Sequence, residues 1–398
     1  MHVLRLTSVF EPQAAALDAG SARFDPIGGM QNHTAALTRC LDALGVRQTV
    51  LTSRLAAPTG SERLGEHAVV RRTGLRTTRL RQLWALGALP SAVLPAMRRG
   101  RHRVDLVHGH QGEDIATLAL AILASAVHRC PLVVTLHCSV RHTFAGGSPK
   151  ARFLRLVGGR VERAAVRRAA AVVVLVPRTA ELLREDGVAE AKVHVLPSGF
   201  DPALFERPTG DRFPGVPHPR VGYVGRLAEQ KRPDLLVQAF GDIRVPASLV
   251  VVGDGPLRPQ VEAAVRRSPV RERITLEGFV PHEQVPAVLR SLDLLVLPSV
   301  YEEMGSVLAE AMACGLPVVA SDVGGIPDVV RDGETGILVP PGDVTALGKA
   351  LDSVLEDDEL RERLGQEARQ QSVRYSWPGL AARVADLYAA ACTSADRR

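Results

Sequence analysis

Cysteines and long apolar runs are scarce in this chain of 398 residues. The five cysteines are odd in number and far apart in the sequence, which disfavours a disulfide framework and fits a reducing compartment. The longest apolar helical run, ATLALAILASAV, is too short to cross a bilayer, and we find no signal peptide before the first strand, HVLRLTSVF. We therefore expect a cytoplasmic protein.

The sequence also lacks the motifs typical of several classes of binding protein and enzyme. Aromatic residues make up only 4% of the chain, the formal net charge is only +6 and no nucleic-acid-binding module is recognisable, so nucleic-acid binding is disfavoured. No Gly-x-Gly-x-x-Gly follows a strand, which argues against a dinucleotide-dependent oxidoreductase. No Asp-x-Asp follows an apolar strand either. From that we expect chemistry without a metal ion and without a cofactor.

Alternating apolar strands and helical segments are plentiful. The strands of the first half are VDLVHGH, PLVVTLH, AVVVLV and KVHVLPSG, and those of the second half are SLVVVGDG, ITLEGFV, LDLLVLPS and PVVASDVG. With 46% hydrophobic residues, the chain can bury two cores of roughly 200 residues each. The pattern predicts two α/β domains with parallel sheets, residues 1–204 and 205–378, separated by the Pro- and Gly-rich segment 200–219.

Two carboxylates flank the start of a predicted helix in LLVLPSVYEEMGSVLAEAMAC. Glu302 is predicted on the loop after a buried strand, and Glu310 one to two turns inside the following helix. Free backbone N–H groups from about Gly305 to Leu308 would favour an anion such as a diphosphate. Sugar and ribose hydroxyls are suitable donors to such carboxylates. The alternative is an ordinary solvated acidic helix start.

Two cations are predicted at the same sheet edge by RVGYVGRLAEQKRPDLLVQAF. The strand ends near Gly225, Arg226 and Lys231 follow, and Pro233 opens the next helix. Only four of the 49 basic residues are lysines, so general basicity does not explain Lys231, although a plain surface cation is the alternative. Fixed cations would neutralise a departing diphosphate as a metal does.

Histidines cluster at the predicted strand ends of the first half. His108 and His110 lie in VHGHQGED, and His137 and His142 in TLHCSVRH. Because ligands of open α/β sheets bind at the carboxyl ends of strands, we expect this cluster at a binding site. Zinc is disfavoured because the spacing matches no common ligand pattern. A structural role for His108 or His110 is the alternative to an acceptor contact.

These motifs together resemble the family-4 retaining glycosyltransferases, which have the GT-B fold of two Rossmann-like domains facing a central cleft. The resemblance implies that Glu302 contacts the donor sugar, that Glu310 contacts the ribose, and that Arg226 and Lys231 grip the diphosphate. It also implies a functional His137, so the catalytic set is His137, Arg226, Lys231 and Glu302. The usual Gly-Phe-Gly after the first Glu reads Glu-Met-Gly here, and this departure adds a charge at Glu303.

The resemblance further implies a UDP-sugar donor and a last helix, residues 379–398, that packs back on the first domain. The glycine pair of GGMQNHT resembles the loop beside the donor phosphates, although a plain turn is the alternative. The residues expected at the donor are Gly28, Gly29, Gly225, Arg226, Lys231, Gly253, Asp254, Phe279, Val280, Glu302, Met304, Gly305, Ser306, Val307 and Glu310.

The acceptor is predicted from fewer residues. MHVLRLTSVF, FDPIGGMQ and RQTVLTSR resemble the aminocyclitol glycosyltransferases of aminoglycoside pathways, which attach N-acetylglucosamine or glucose to 2-deoxystreptamine. A polyamine needs carboxylates, and Glu113 and Asp114 beside His110 are available unless they are ordinary loop acids. The expected acceptor contacts are His108, His110, Glu113, Asp114 and His142.

Three alternatives stay open. A membrane-lipid acceptor is favoured by the stretch from Arg63 to Arg103, which holds many arginines and one acid, Glu66. A sugar-nucleotide epimerase or hydrolase would use the same donor motifs without an acceptor. A non-catalytic sugar-nucleotide binder would not react at all.

Overall fold

The structure is a computed structural model that describes residues 1–11, 29–54, 60–74, 84–94, 103–112, 114–140 and 154–396. Internal contacts divide the chain into two compact units. The first contains the N-terminal strand, Met30–Pro197 and the chain from Pro378 onwards, and the second contains Gly29 and Ser198–Trp377. The division comes before the predicted boundary at residue 204, because Phe200 exchanges backbone hydrogen bonds with the segment at Tyr375 and Trp377.

The first unit is built on one mixed sheet. Its strands are β1 (His2–Thr7), β2 (Arg47–Ser53), β3 (Gly60–Arg63), β4 (Ala68–Thr73), β5 (Leu106–Gln111), β6 (Leu132–Leu136), β7 (Ala171–Val174) and β8 (Val193–Val195). Their order across the described sheet is β3-β4-β2-β1-β5-β6-β7-β8. All neighbours run parallel except β3, which is antiparallel to β4 at the edge. The sheet is therefore parallel as predicted, with one antiparallel edge strand, β3, that the sequence did not indicate.

Along the chain, the helices of the first unit alternate with these strands. They are α1 (Gly29–Ala43), α2 (Trp84–Val93), α3 (Ala116–His128), a π-helical turn (Leu154–Gly158), α4 (Gly159–Arg168) and α5 (Pro177–Glu185). The main apolar core includes residues of α2, α3 and α4 and alternate strand residues such as Leu4, Leu6 and Val107. Burial of these side chains away from water is the main term that stabilises the unit.

The sheet residues that alternate with this core are largely polar. Arg5 of β1 hydrogen-bonds Thr38 of α1, so its side chain lies between the sheet and that helix. A small apolar group, which includes Phe10, Ala35 and Val50, covers only part of the layer. The rest is built from hydrogen-bonded polar side chains, and a buried polar group is tolerated only when it has such partners.

The second unit contains a parallel sheet of six described strands. They are β9 (Arg220–Val224), β10 (Ser248–Val252), β11 (Ile274–Gly278), β12 (Leu294–Leu297), β13 (Val318–Ser321) and β14 (Gly336–Val339). Their order is β11-β10-β9-β12-β13-β14. The helices are α6 (Pro202–Phe205), α7 (Pro233–Gly241), α8 (Arg258–Arg267), α9 (Val285–Arg290), α10 (Ser306–Ala313), α11 (Ile326–Val329), α12 (Val344–Glu356) and α13 (Asp358–Ser372).

The strand order places a topological switch in the middle of this second sheet. From β9 the chain winds to β10 and β11 on one side, and from β12 it winds to β13 and β14 on the other. In open α/β sheets, the loops at such a reversal diverge and leave a crevice at the carboxyl ends of the strands. The loops after β9 and β12 therefore define the place where a ligand is expected.

The last helix, α14 (Trp377–Asp396), belongs to the first unit from Pro378 onwards. Its Tyr388 is completely buried and hydrogen-bonds His108 of β5, with 2.6 Å between Oη and Nδ1. The chain therefore enters the second unit at Ser198 and leaves it at Trp377.

None of the helices in the described ranges is long and apolar enough to cross a membrane. The Arg63 to Arg103 stretch, on which the lipid-acceptor alternative depends, lies partly outside the described residues. Within the part that is described, Arg72 is only 8% exposed and donates a hydrogen bond to the carbonyl of Glu11. This arginine is therefore a buried structural residue rather than part of an open basic surface.

Two helical glycines of the second unit provide a test of the packing. A Cβ at Gly365 of α13 would lie 2.3 Å from the carbonyl oxygen of Gly315, whereas one at Gly348 of α12 would meet its nearest atom at 3.6 Å. We expect Gly348→Ala to stabilise its helix by about 0.5–1 kcal/mol through helix propensity. Gly365→Ala should instead lower stability by about 1–3 kcal/mol because backbone must shift. Thermal unfolding of both variants checks the opposite signs, and a stabilised Gly365→Ala variant would contradict this packing.

Candidate functional site

The loops that follow β9 and β12 are bonded to each other. The backbone N–H of Val300 donates to the carbonyl of Gln230 over 2.9 Å, and that of Tyr301 donates to the same oxygen over 3.4 Å. The two loops are GRLAEQK and PSVYEE, the segments from which the sequence predicts a donor site. The topological switch and the predicted motifs therefore coincide.

Lys231 and Glu302 form an ion pair that joins these loops. The Nζ of Lys231 donates to Oε2 of Glu302, and the two side chains are only 18% and 12% exposed. Partial burial reduces solvent screening, so such a pair holds its geometry better than an exposed one. The pair fixes a cation and a carboxylate side by side at the end of the central strands.

A close backbone contact fixes the main chain at Glu302. Gly325 donates its N–H to the carbonyl of Glu302 over 3.1 Å. Gly324 has φ +61°, and a Cβ there would lie 1.8 Å from the same carbonyl oxygen. Only glycine suits this position, because the left-handed conformation and the close approach both exclude a side chain. The GGIP turn thus positions the Glu302 loop.

Glu310 lies on α10, within the first two turns as predicted, and is 7% exposed. Its Oε1 is 3.0 Å from Nε2 of His282, which comes from the short 3₁₀ turn before α9. Sequence reasoning missed His282, because its PHEQVP segment carries no ligand-spacing pattern. The contact orients one oxygen of Glu310 and leaves the second oxygen for another donor.

The N-terminus of α10 begins at the same place. Gly305 is the N-cap with φ +74°, and no side chain caps this helix end. The expectation of free N–H groups through Leu308 was wrong at its last residue, because the Leu308 N–H donates to the Gly305 carbonyl over 2.8 Å. Ser306 and Val307 form the remaining start of the helix, where the dipole favours an anion.

Arg226 lies two residues after the end of β9 at Val224. Tyr223 is completely buried in β9, and its Oη donates to the carbonyl of Arg226 over 2.7 Å. Burial raises the pKa of Tyr223 well above its usual value, and the nearby Glu302 carboxylate raises it further. The tyrosine therefore remains a neutral donor that fixes the backbone at Arg226.

The VVGDGP turn after β10 is held by its own side chain. Asp254 accepts a hydrogen bond from the N–H of Gly255 over 2.7 Å and lies 3.3 Å from Nη1 of Arg258. A Cβ at Gly253 would lie 1.9 Å from the carbonyl of Gly225, so this glycine permits the two turns to touch. The Asp254 carboxylate is thus engaged in the turn. Of the other predicted donor residues, Phe279 and Val280 follow the end of β11 and are half-buried.

The two residues that depart from the family pattern are both engaged within the second unit. Oε2 of Glu303 accepts a hydrogen bond from Tyr301 Oη over 3.2 Å. Met304 is 2% exposed, and its sulfur accepts a hydrogen bond from the N–H of Ser198 over 3.1 Å. Met304 is therefore packed within the second unit, and its contact with a donor stays a prediction.

In the first unit, a connected polar group lies on β1, β5 and β6. Nη2 of Arg5 is 2.9 Å from Nε2 of His110, whose Nδ1 is 3.3 Å from Nε2 of His137. His33 of α1 packs edge-on against His137, with ring centroids 4.5 Å apart. The sequence placed His110 and His137 together correctly, whereas it gave no signal for Arg5 beyond one charged residue in an apolar strand.

Burial governs the protonation of these histidines. It lowers the pKa values of His33, His108 and His110 well below 6.5, with neighbouring cations and histidines adding to the effect. It also lowers the pKa of His137 to about 3, with a further contribution from the positive charge of Arg5. The group is therefore neutral at physiological pH.

One ring nitrogen from each of His33, His110 and His137 lies within 4.8 Å of the other two, a spacing at which three histidines could hold a metal ion. A metal on Nδ1 of His110 would leave the ring proton on Nε2. That nitrogen faces Nε and Nη2 of Arg5 at 3.3 and 2.9 Å, and arginine can only donate. The proton would therefore clash with a donor, and a buried guanidinium would repel the metal. The trio does not suit a metal ion.

The predicted acceptor residues have separate surroundings. His108 is 2.6 Å from Tyr388 Oη and 2.7 Å from Thr135 Oγ1, so both its nitrogens are engaged. Asp114 is 4% exposed and accepts hydrogen bonds from Trp84 Nε1, Thr117 Oγ1 and the Ala116 N–H. The geometry explains Asp114 as a cap at the start of α3, while an acceptor contact by this residue stays a prediction.

Three predicted residues, Gly28, Glu113 and His142, lie outside the described residues, and Gly29 is the first residue of α1. Sequence reasoning also missed Glu162 of α4. Its carboxylate accepts hydrogen bonds from Gln111 Nε2, Ser139 Oγ and the Val140 N–H over 2.7–2.8 Å. It therefore fixes the segment after His137. One acid in an arginine-rich helix gives no sequence signal for this role.

Both halves of the chain match known family profiles. Residues 27–204 match the profile described as Glycosyltransferase Family 4, and residues 215–371 match the one described as Glycosyl transferases group 1. Together the two matches cover most of each structural unit.

Named relatives extend over most of the chain. It is 37% identical to 2-deoxystreptamine N-acetyl-D-glucosaminyltransferase of Streptomyces fradiae, covering 91% of this chain and 90% of the relative. It is 35% identical to 2-deoxystreptamine glucosyltransferase of Streptomyces kanamyceticus, covering 82% and 90%.

Solved structures have the same architecture. Sucrose-phosphate synthase from Thermosynechococcus elongatus superposes with a TM-score of 0.83 at 25% identity, covering 99% of both chains. Anabaena HepE in complex with UDP-glucose superposes with a TM-score of 0.72 at 20% identity, covering 98% of this chain and 100% of that one. The predicted GT-B fold of two Rossmann-like domains is thereby confirmed.

The glycine at 324 provides a test of the Glu302 geometry. Gly324→Ala and Gly333→Ala both place alanine at a positive φ, which costs each variant about 1–2 kcal/mol of stability. Gly324→Ala should lose more, because its Cβ also meets backbone. Only the first meets the Glu302 carbonyl, because a Cβ at Gly333 has nothing within 4 Å. We expect Gly324→Ala to weaken binding of UDP-glucose about tenfold or more, through displacement of one charged contact. Calorimetric titration of both variants is the measurement, and equal affinities would refute the role of the turn.

Proposed function

We propose that this chain, which belongs to glycosyltransferase family 4, moves a hexose from a UDP-sugar to a hydroxyl of an aminocyclitol, with retention of anomeric configuration and without a metal ion. The sugar is N-acetylglucosamine or glucose. The observation that carries the proposal is the Lys231–Glu302 pair beside the uncapped start of α10 at the topological switch. The site of the reaction in this proposal is the cytoplasm.

The donor fits this group of residues chemically. A diphosphate carries negative charge that Lys231, Arg226 and the α10 dipole would neutralise. Glu302 would accept a hydrogen bond from a sugar hydroxyl, and Glu310 from a ribose hydroxyl. UDP is the proposed nucleotide, and it is the one present in the HepE complex of the same fold. On binding, Lys231 would exchange part of its contact with Glu302 for a phosphate oxygen.

The proposed reaction breaks the bond between the anomeric carbon and the phosphate oxygen. The bonding pair leaves with UDP, and the fixed cations and helix dipole stabilise the developing charge. The acceptor hydroxyl oxygen bonds to the same face of the anomeric carbon, and its proton passes to the departing phosphate oxygen. A double displacement would need a carboxylate nucleophile, whereas Glu302 is paired with Lys231.

The proposed acceptor is supported by the named relatives rather than by contacts in the site. Two relatives at 37% and 35% identity are named for 2-deoxystreptamine as the acceptor. A membrane-lipid acceptor remains the second candidate, on the arginine-rich stretch alone. An epimerase or hydrolase of the same fold would cleave the donor without an acceptor.

Lys231 should affect the reaction more than nucleotide binding. Because its charge stabilises the departing diphosphate more than the bound ground state, Lys231→Ala should lower kcat by about 100-fold or more while UDP affinity falls less. Lys349→Ala removes the same charge from an exposed position of α12 and should leave both quantities unchanged. Steady-state kinetics and UDP titration separate the two effects. Equal losses of kcat and affinity in Lys231→Ala would contradict the assignment.

The function itself is tested by products. The protein is incubated with UDP-N-acetylglucosamine or UDP-glucose, with and without 2-deoxystreptamine, and products are identified by mass. We expect an acceptor–sugar conjugate and UDP only when the acceptor is present. UDP and free sugar without acceptor would indicate an epimerase or hydrolase, and an unchanged donor in every mixture would indicate a binding protein.

A further inference from the structure

Arg5 is a fully charged side chain inside the first unit. It is 1% exposed, and the hydrogen bonds of its guanidinium go to His110 Nε2, Thr38 Oγ1 and Gln48 Oε1. None of these acceptors is a carboxylate, and the described residues form no ion pair with it. Burying a cation without a countercharge is costly, so its retention needs a reason beyond packing.

The donors of Arg5 determine where the proton of His110 lies. Arginine has no acceptor, so Nε2 of His110 must accept from it and must be unprotonated. The proton of neutral His110 is therefore on Nδ1, which lies 3.3 Å from Nε2 of His137. This N–H donates to His137 Nε2, and the proton of His137 is in turn on its Nδ1.

The Nδ1–H of His137 is a donor without an acceptor among the described residues. The only hydrogen bond of the His137 ring in this part of the chain is the one through Nε2. His137 is 9% exposed, whereas His108 and His110 are completely buried. Nδ1 of His137 is not one of the fully buried polar atoms that lack a partner in the described part of the chain, so this N–H is accessible and can donate to an oxygen of a ligand.

We propose that Arg5 is a positioning residue that, through His110, fixes the neutral Nδ1–H tautomer of His137 and presents that N–H to an oxygen of the bound substrate. The proposal rests on the proposed function and on the functional role that the family resemblance implies for His137. A fixed N–H costs no reorganisation when charge develops on the substrate, which is the condition for efficient electrostatic stabilisation. Arg5 itself does not touch the substrate.

The surrounding groups maintain this state. Five side chains surround His137 or its histidine neighbours, and the described residues add no carboxylate to them. They are Arg5 on β1, His33 on α1, His108 and His110 on β5, and Tyr388 on α14. Because the pKa of His137 is lowered to about 3, the ring takes up a proton only as the pH falls towards that value. The neutral donor is therefore present throughout the neutral range, and acidification alone should not change the tautomer above about pH 5.

The tautomer can be read directly in the unmodified protein. Two-dimensional ¹H–¹⁵N spectra that correlate the ring nitrogens and carbon-bound protons of ¹⁵N-histidine-labelled protein distinguish the two neutral forms. We expect His137 and His110 in the Nδ1–H form at pH 7, with assignments from His137→Gln and His110→Gln. An Nε2–H form of His137, or a charged ring, would overturn the proposal. This result does not depend on whether the protein transfers sugar.

Three variants link the tautomer to activity. Arg5→Met removes the donors and lets both rings reverse their tautomers, so kcat should fall about tenfold or more, with a smaller change in KM for the UDP-sugar. Arg5→Lys keeps a charged donor and should restore the Nδ1–H form and most of kcat. Thr38→Val removes another acceptor of Arg5 without touching the His110 contact, so it should leave tautomer and kcat unchanged.

The results of these experiments distinguish failure of the Arg5 proposal from failure of the proposed glycosyltransferase function. If Arg5→Met is unstable, the ring spectrum of the unmodified protein still decides the proposal, because an Nε2–H form of His137 would overturn it without any variant. An unchanged His137 tautomer in folded Arg5→Met, or loss of kcat in Thr38→Val equal to that in Arg5→Met, would show a purely structural role and overturn the proposal. An Nδ1–H tautomer in a protein that transfers no sugar would refute the proposed function alone.

Discussion

The ion pair between Lys231 and Glu302 joins the two loops that leave the centre of the second sheet. Strands β9 and β12 are neighbours there because the winding of the sheet reverses between them. The Gln230 carbonyl links the same loops through backbone bonds, and Gly324 leaves room for the Glu302 carbonyl. The charged pair is therefore held from both its side chains and its backbone. Such rigidity allows an ionic site to act without reorganising.

The two units have similar folds but differ in where their charged and polar side chains lie. In the second unit, the Lys231–Glu302 pair lies after the carboxyl ends of β9 and β12, beside an apolar core, and the buried Arg220 at the start of β9 is paired with Asp211. In the first unit, the layer between the sheet and α1 contains a buried guanidinium and four neutral histidines. Replacing buried charged groups by apolar side chains of similar volume is often neutral or stabilising. The polar layer is consistent with selection for a proton arrangement at His137 rather than for stability.

Local sequence predicted the elements well because strand and helix signals are local. The eight quoted apolar segments are strands, and Pro233 opens α7 as expected. The antiparallel edge strand β3 escaped notice, since GSER is short and polar. The hydrogen bond from the Leu308 N–H to the Gly305 carbonyl depends on the φ angle of Gly305. The identity of the residue alone does not determine that angle.

The contacts that define the sites were harder to predict because they join distant residues. Lys231 and Glu302 are 71 residues apart, and Arg5 and His110 are 105 apart. Motifs indicated that Lys231 and Glu302 act on one ligand but not that they pair with each other. Asp114 is a further case, because its carboxylate accepts hydrogen bonds from Trp84, 30 residues earlier in the chain, and from the Ala116 N–H, while its contact with an acceptor stays a prediction.

The central claim is that the second unit holds the donor at the Lys231–Glu302 pair. A crystal structure of the complex with UDP-N-acetylglucosamine tests it most directly. The account predicts the pyrophosphate within hydrogen-bond distance of Lys231 Nζ and the first N–H groups of α10, with the ribose hydroxyls on Glu310. A pyrophosphate bound elsewhere, with the Lys231–Glu302 pair untouched, would contradict it.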